Sequence, residues 1–190
     1  MRWLIAIAII AAAACGGRSP PTHHYGLAPA QGAIRVYSGP PLRLEAVQMP
    51  PSLDSQQMMR RTSPYAISIA QHERWSDALG YLMRQALAQN LVTRLPDGAL
   101  IYPDAPKPAD ALGITVDVLQ LVEQDGIITL DASWTILAPD APRIVGRHQK
   151  SWKEQVSGSA ASTSEGLSRI LARVADDIAD SLVQGDIALR

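Results

Sequence analysis

Residues 112–137, LGITVDVLQLVEQDGIITLDASWTIL, carry the clearest structural signal in the chain. Two apolar segments, Leu112–Val122 and Ile127–Leu137, flank the pair Asp125-Gly126. Both central positions of a type I′ turn require a positive φ, and an Asp-Gly pair meets that requirement. The stretch therefore predicts two long strands joined in an antiparallel hairpin.

The side-chain alternation of this hairpin contains one irregularity. A two-residue turn places Leu121 opposite Leu130 and Leu119 opposite Ala132 on one face. Val118 then falls on the other face, so the apolar phase slips near Val118-Leu119. Two explanations are open at this point: a β-bulge at the slip, or partial burial of both faces of the hairpin.

The remaining chain adds strands and two amphipathic helices. Period-two alternation or short β-type runs predict strands at Leu42–Val47, Gln57–Arg61, Ala66–Ala70, Ala99–Tyr102 and Ile144–Val156, the last a polar edge strand. An apolar stripe predicts one helix over Trp75–Thr93. A second helix follows the capping-box pattern Ser162-x-x-Glu165 and ends near Gly185. This order predicts an α/β fold: one domain with a mixed sheet and both helices on the same face.

Length and composition exclude several classes of protein. The chain has 190 residues, with 17 Lys+Arg against 18 Asp+Glu. A length of this order fits one domain, and the absence of a basic excess argues against a nucleic-acid partner. Cys15 is the only cysteine, which excludes an intrachain disulfide and a Cys-rich zinc site.

The N-terminal residues are typical of an export signal. They read MRWLIAIAIIAAAAC, where Arg2 precedes an uncharged run too short to span a membrane. The small residues before Cys15 resemble a bacterial lipobox, although Ala12 stands where leucine is usual. We expect a lipoprotein signal peptide at 1–14 and a covalent acyl and diacylglycerol anchor on Cys15, with no other cofactor. An ordinary secretory signal with an incidental cysteine is the alternative.

The mature chain then divides into two parts. Residues 15–41 are rich in Pro, Gly and small side chains, which predicts a lipidated tether and the loop that leads into the domain. Residues 42–186 form the predicted periplasmic domain. Gly16 follows the cysteine where an inner-membrane lipoprotein would carry aspartate, which favours the outer membrane.

No catalytic motif is present. His72-Glu73 begins like a zinc-protease motif, but Ser76 replaces the second histidine. His23-His24 is read as a solvated pair, with weak metal binding as the alternative. We expect Trp75 and Trp134 in the core, whereas Trp152 could equally pack inside or contact a partner.

Charge is distributed unevenly along the second half of the chain. Residues 97–140 hold eight acidic side chains and one basic one, and residues 143–153 hold four basic side chains and no acidic one. Adjacent strands of opposite charge would stabilise one sheet. Self-association of an acidic edge with a basic edge, giving a homo-oligomer, is the alternative.

A set of motifs resembles a known family. After the lipobox come Tyr25-Gly26-Leu27, then Leu44-x-x-Val47-x-Met49-Pro50-x-x-Leu53-Asp54, then Arg60, then Arg74-Trp75 at the expected helix start. The set is similar to the ABC-type transport auxiliary lipoproteins, which include the Pqi type, and the likeness extends over the mature chain.

The resemblance implies a function as well as a fold. It implies a non-enzymatic, outer-membrane-anchored periplasmic subunit of an intermembrane lipid transport system. Its partners would be an MCE-domain protein and the ABC and permease machinery. Pro50, Leu53 and Asp54 would form a structural turn, and Arg60 and Arg74 would be interface contacts. Trp152, which lies outside these motifs, is the third candidate interface residue. A stand-alone lipoprotein for outer-membrane assembly or envelope integrity is the alternative.

Overall fold

The computed structural model describes residues 20–139 and 143–183. Cys15, the expected signal peptide and the expected helix end at Gly185 lie outside these residues. The elements in chain order are β1 (His23–Tyr25), β2 (Leu42–Gln48), β3 (Gln57–Ser63), β4 (Ala66–Trp75), α1 (Leu79–Val92), β5 (Leu100–Ile101), β6 (Leu112–Gln124), β7 (Ile127–Leu137), β8 (Ile144–Gln155) and α2 (Ala160–Val183).

The strands form two sheets rather than the single one expected. The larger sheet has the order β5-β2-β6-β7-β8, and the smaller has the order β1-β4-β3. β2 runs parallel to both β5 and β6, whereas β6, β7 and β8 are antiparallel. The predicted α/β fold with a mixed sheet and two main helices is confirmed, and β8 is an edge strand as expected.

The central hairpin resolves the irregularity in its sequence. Leu121 lies opposite Leu130, as the two-residue turn predicts, but Val118 rather than Leu119 lies opposite Ala132. Leu119 is the extra residue of a β-bulge and is half-exposed. The bulge therefore returns the apolar residues on its two sides to the core face. The turn residues Asp125 and Gly126 have φ values of 51° and 73°, as a type I′ turn requires.

Both helices pack on the same face of the larger sheet. α1 contacts β2 and β5, α2 contacts β7 and β8, and the two helices contact each other. The core between them contains strand residues such as Leu44, Ile114 and Trp134, and helix residues such as Met83 and Ile170. Burial of these apolar side chains is the main stabilising contribution to the fold.

The starts of both helices differ from the predictions. Arg74 and Trp75 end β4 instead of opening α1, because β4 pairs with β1 on one side and with β3 on the other. α2 begins at Ala160, before the expected capping box. Ser159 caps it, since the Ser159 hydroxyl accepts a hydrogen bond from the Ser162 N–H at 3.2 Å.

The motif Pro50-x-x-Leu53-Asp54 is a turn, as expected. The N–H groups of Leu53 and Asp54 both donate to the carbonyl of Pro50. The Asp54 carboxylate then accepts a hydrogen bond from the Gly80 N–H at 3.0 Å. Asp54 thereby satisfies a free donor in the first turn of α1, whose own N-cap residue, Ala78, makes no side-chain cap.

Residues 23–35, within the segment expected to be tether and loop, pack on the domain. β1 adds to the smaller sheet, and the Ala30 N–H donates to the Asn90 side chain at 2.7 Å. Arg94, almost fully buried, donates to the Ala30 carbonyl and forms an ion pair with Asp176 at 2.9 Å. The folded part of the chain therefore begins by His23, well before residue 42.

Candidate functional site

A groove lies between the two sheets, beside the N-terminal end of α2. It has a volume of about 380 Å³. β3 and β4 contribute one wall, the turn ends of β6 and β7 contribute another, and residues 158–161 border it. Its apolar lining consists of Leu53, Met58, Met59, Ala70, Trp75, Leu79, Leu121, Ile128 and Leu167, with Ala160 and Ala161.

An ion pair crosses the groove. Arg60 Nε of β3 lies 2.6 Å from Glu123 Oε1 of β6, and Arg60 also donates to the Gly158 carbonyl before α2. Thr163 donates to the other carboxylate oxygen of Glu123 at 2.8 Å. The Glu123 side chain is only 5% exposed, whereas that of Arg60 is 43% exposed. Arg60 thus compensates a buried negative charge and links the two sheets.

The buried position of Glu123 has a local cause. Glu123 is two residues after Leu121 on β6 and lies opposite Ile128 of β7. Side chains two apart on a strand share a face, so the backbone directs this carboxylate to the core side. The sequence contains part of this signal, because period-two alternation counted back from Asp125-Gly126 assigns Glu123 to an apolar face. It does not indicate the partner, since Arg60 is 63 residues away.

A second carboxylate lies in the same groove. Glu73 of β4 lines it together with Tyr25 of β1. The hydrogen bond to Glu73, burial and the negative charge of Glu73 together raise the pKa of the Tyr25 hydroxyl. Glu73 Oε2 is buried and has no hydrogen-bond partner among the described residues. One carboxylate oxygen beside the groove therefore keeps the capacity to accept a hydrogen bond.

The three expected interface residues have different surroundings. Arg60 is engaged in the ion pair across the groove. Trp152 is 4% exposed and its indole N–H donates to Asp177 of α2 at 2.8 Å, so it is a core residue and not available to a partner. Arg74 is half-buried beside β1. Within residues 20–139 and 143–183 its guanidinium has no hydrogen-bond or ion-pair partner.

The basic segment of β8 is partly neutralised within the domain. Lys150 forms an ion pair with Asp177 of α2 at 2.7 Å, and Lys153, three residues later, is exposed. β8 lies next to β7 of the acidic segment. The ion pair of Lys150 is with α2 and not with the acidic segment, so stabilisation of the sheet by strands of opposite charge and self-association at the edge of β8 both stay predictions.

The groove offers apolar contacts around a compensated charge pair. His, Cys and Asp are absent from its described lining. In the part of the chain that the structure describes, no three His, Cys, Asp or Glu side chains come together as a metal site would need. No helix in the described ranges is long and apolar enough to cross a membrane. The arrangement is suited to binding, because apolar walls with few fixed polar groups are typical of ligand and partner sites.

Sequence reasoning missed the cluster around Arg94. Arg94 and Arg35 both contact Asp176 of α2, at 2.9 and 2.8 Å. Burial raises the pKa of Asp176, but the hydrogen bonds and charges of Arg94 and Arg35 outweigh it and lower that pKa overall. Gly32 lies so close that a Cβ atom there would be 2.5 Å from Arg94 Cζ. The cluster therefore fastens residues 30–35 to both helices.

Known proteins share both the sequence pattern and the fold. The chain is 25% identical over 138 residues to the intermembrane transport lipoprotein PqiC of Escherichia coli, covering 71% of this chain and 73% of that protein. PqiC of Shigella flexneri matches to the same extent. The family model described as the ABC-type transport auxiliary lipoprotein component matches residues 25–179.

Solved structures show the same fold. A crystal structure of a protein from Xanthomonas campestris superimposes with a TM-score of 0.71 at 11% identity, covering 86% of this chain and 95% of that one. A second crystal structure, of an uncharacterized protein, gives 0.64 at 17% identity, covering 87% and 98%. The family match begins at Tyr25, in β1, and ends at Ala179, in α2, so it takes in both sheets and both helices. The chain belongs to the ABC-type transport auxiliary lipoprotein family.

Proposed function

We propose that this protein is a non-enzymatic accessory subunit of an MCE/ABC-type intermembrane lipid transport system. It is acylated on Cys15, anchored in the outer membrane and faces the periplasm. The observation that carries the proposal is the family match over residues 25–179. The name of the Escherichia coli relative, an intermembrane transport lipoprotein, supports the transport role.

The position of Cys15 in the sequence limits how far an anchored domain could lie from the membrane. Cys15 precedes β1 by only eight residues, since His23 is the first residue of that strand. An anchor with several acyl chains holds a protein firmly at a bilayer, whereas an anchor with a single acyl chain binds only marginally. A short link to a packed strand would then keep the domain close to the membrane surface.

The surface near β1 supports a partner contact. Arg74 is next to His24 in the smaller sheet and has no ion-pair partner within the described residues. An arginine of this kind is a common anchor in protein interfaces. We assign the partner contact to Arg74, and the partner to the MCE-domain protein together with its ABC and permease machinery. A homo-oligomer is compatible with this role.

The anchor is tested by replacing Cys15 with serine. The wild-type chain should incorporate radiolabelled palmitate and fractionate with the outer membrane, and Cys15→Ser should do neither. Failure of the wild-type chain to take up palmitate would exclude the anchor. Pull-down of the acylated protein from solubilised membranes, followed by mass spectrometry, should recover an MCE-domain protein and bound phospholipid.

The partner contact is tested with a matched pair of charge reversals. Arg74→Glu should remain acylated and folded but lose the MCE-domain protein from the pull-down. Arg147→Glu, which reverses an exposed arginine on β8, is the control and should retain it. Loss of the partner in both variants would mean that Arg74 has no specific role. An anchored wild-type chain that recovers no transport component would favour the stand-alone envelope lipoprotein instead.

A further inference from the structure

The hairpin of β3 and β4 carries an exposed apolar surface. Tyr65 at its turn is fully exposed, and Ile67 and Ile69 of β4 are 62% and 47% exposed. Ile67 and Ile69 are two residues apart on one strand, so their side chains share a face. Arg61 lies opposite Ile67 on that face. We call these four residues the hairpin surface.

The hairpin itself carries charge of one sign. Residues 57–70 contain Arg60 and Arg61 and no acidic residue. Arg60 is paired with Glu123 across the groove, which leaves Arg61 as the cation of the exposed face. Aliphatic side chains, a tyrosine and an arginine together match the boundary of a phospholipid bilayer, where acyl chains, the interface and phosphates follow one another.

The direction of β1 shows from which end of the smaller sheet the chain enters that strand. β1 runs parallel to β4, with His23 beside Glu73 and Tyr25 beside Trp75. The chain that enters β1 therefore comes from the end of the sheet where β4 begins, and that is the end occupied by Tyr65.

The lengths of chain on the two sides agree. Cys15 and His23 are eight positions apart in the sequence, and so are Tyr65 and Glu73, the neighbour of His23. At about 3.3 Å per extended residue, each distance is about 26 Å. An extended chain of this length would be long enough to bring Cys15 level with Tyr65, and its acyl chains would then lie beside the hairpin surface.

We propose that the hairpin surface contacts the same bilayer surface that holds the acyl chains of Cys15. Tyr65, Ile67 and Ile69 insert at the level of the headgroups, and Arg61 pairs with lipid phosphate. The contact adds a second membrane attachment and fixes the orientation of the domain on the membrane. It rests on the anchor described under the proposed function, and its occupant is a phospholipid surface rather than a second copy of the chain.

The test uses the full acylated chain in vesicles of phosphatidylethanolamine and phosphatidylglycerol. Cys15 is the only native cysteine and its thiol is acylated, so an introduced cysteine can carry an environment-sensitive NBD label alone. Ala66→Cys keeps all four residues of the hairpin surface and places the label at the tip, next to Tyr65; because Ala66 and Ile67 alternate in face, this label reports on insertion of the tip. Ala109→Cys is the matched control. Ala109 is exposed and lies just before the start of β6, whereas the hairpin lies near the other end of β6, where Arg60 contacts Glu123.

We expect the NBD emission at position 66 to be blue-shifted and to be quenched by doxyl-labelled lipids. The emission at position 109 should remain that of the label in water. Replacing Ile67 and Ile69 with serine should reduce the quenching at position 66. Emission typical of water at both positions on an anchored chain would overturn the proposal. Shielding at position 66 that persists in detergent without vesicles and resists doxyl lipids would also overturn it, in favour of a contact between copies. Release of the wild-type chain from vesicles would instead contradict the anchor.

Discussion

Replacing Arg60 with leucine should destabilise the domain by leaving Glu123 as an unpaired buried charge. The Glu123 side chain is 5% exposed and loses its contact at 2.6 Å, keeping only the hydrogen bond from Thr163. Removing one partner of a fully buried pair costs about 3–5 kcal/mol. The Arg60 side chain is 43% exposed, so water already screens one end of the pair, and we expect a loss of about 2–3 kcal/mol.

A double-mutant cycle separates the buried charge from the lost packing of the arginine. Arg60→Leu with Glu123→Leu removes both charges, and the double variant should recover much of the stability lost in Arg60→Leu alone. Urea unfolding followed by circular dichroism measures each free energy of unfolding. Arg169→Leu is the control: the half-exposed Arg169 pairs with Glu154 at 2.7 Å, and Glu154 keeps a second partner in Arg173. The loss of Arg169 should therefore cost less than about 1 kcal/mol.

Two results would refute this reasoning. If Arg60→Leu costs no more than Arg169→Leu, Arg60 does not compensate a buried charge. If the effects of the two single substitutions simply add in the double variant, Arg60 and Glu123 are not coupled. In either case Arg60 would return to the role of an interface residue, and its loss should then appear in partner binding with stability unchanged.

Two further predictions concern α1 and the arginine cluster. Asp54→Ala removes the acceptor for the Gly80 N–H and should lower the free energy of unfolding by about 1 kcal/mol, measured as a lower Tm. Asp54→Asn keeps an acceptor and should cost less. Equal losses in the two variants would contradict the cap. The lowered pKa of Asp176 means that its stabilising effect is complete above the unfolded value of about 3.9 and is lost as pH falls through the folded pKa. Asp176→Asn should therefore have a lower free energy of unfolding than the wild type at neutral pH, and the difference should shrink in acid, as measured by urea unfolding at several pH values. A difference in stability that does not change with pH would contradict the ionised pair with Arg94.

The sequence predicted those features that depend on short-range patterns. The Asp125-Gly126 turn and the apolar alternation on each side were enough to place the central hairpin and to restrict the irregularity to Val118-Leu119. A bulge leaves a local mark, because one added residue reverses the alternation of every later side chain. The motif ending in Leu53-Asp54 was similarly readable as a turn.

Features that depend on distant pairing could not be predicted in this way. Trp75 is in phase with the apolar stripe of α1, yet it belongs to β4 because β1 supplies a neighbour 50 residues earlier in the chain. Local propensity cannot register such a neighbour. Arg94 has no sequence feature that marks it as buried, since its partner Asp176 is 82 residues away. The division into two sheets depends on the same distant contacts.

The early start of the folded chain changes what the proposed anchor would do. A tether that ended at residue 41 would give Cys15 a reach of about 90 Å at 3.3–3.6 Å per residue, enough to hold the domain far from the membrane. Because β1 and residues near Arg94 are packed on the domain, the link from Cys15 to the first strand ends at His23. At full extension this link would be about 26 Å long. If Cys15 is acylated, His23 must therefore stay within about 26 Å of the bilayer. If Arg74 is also the partner contact, a partner that spans the periplasm must approach the membrane to about the same distance, because Arg74 lies beside His24. This geometry favours docking close to the membrane over capture at a distance.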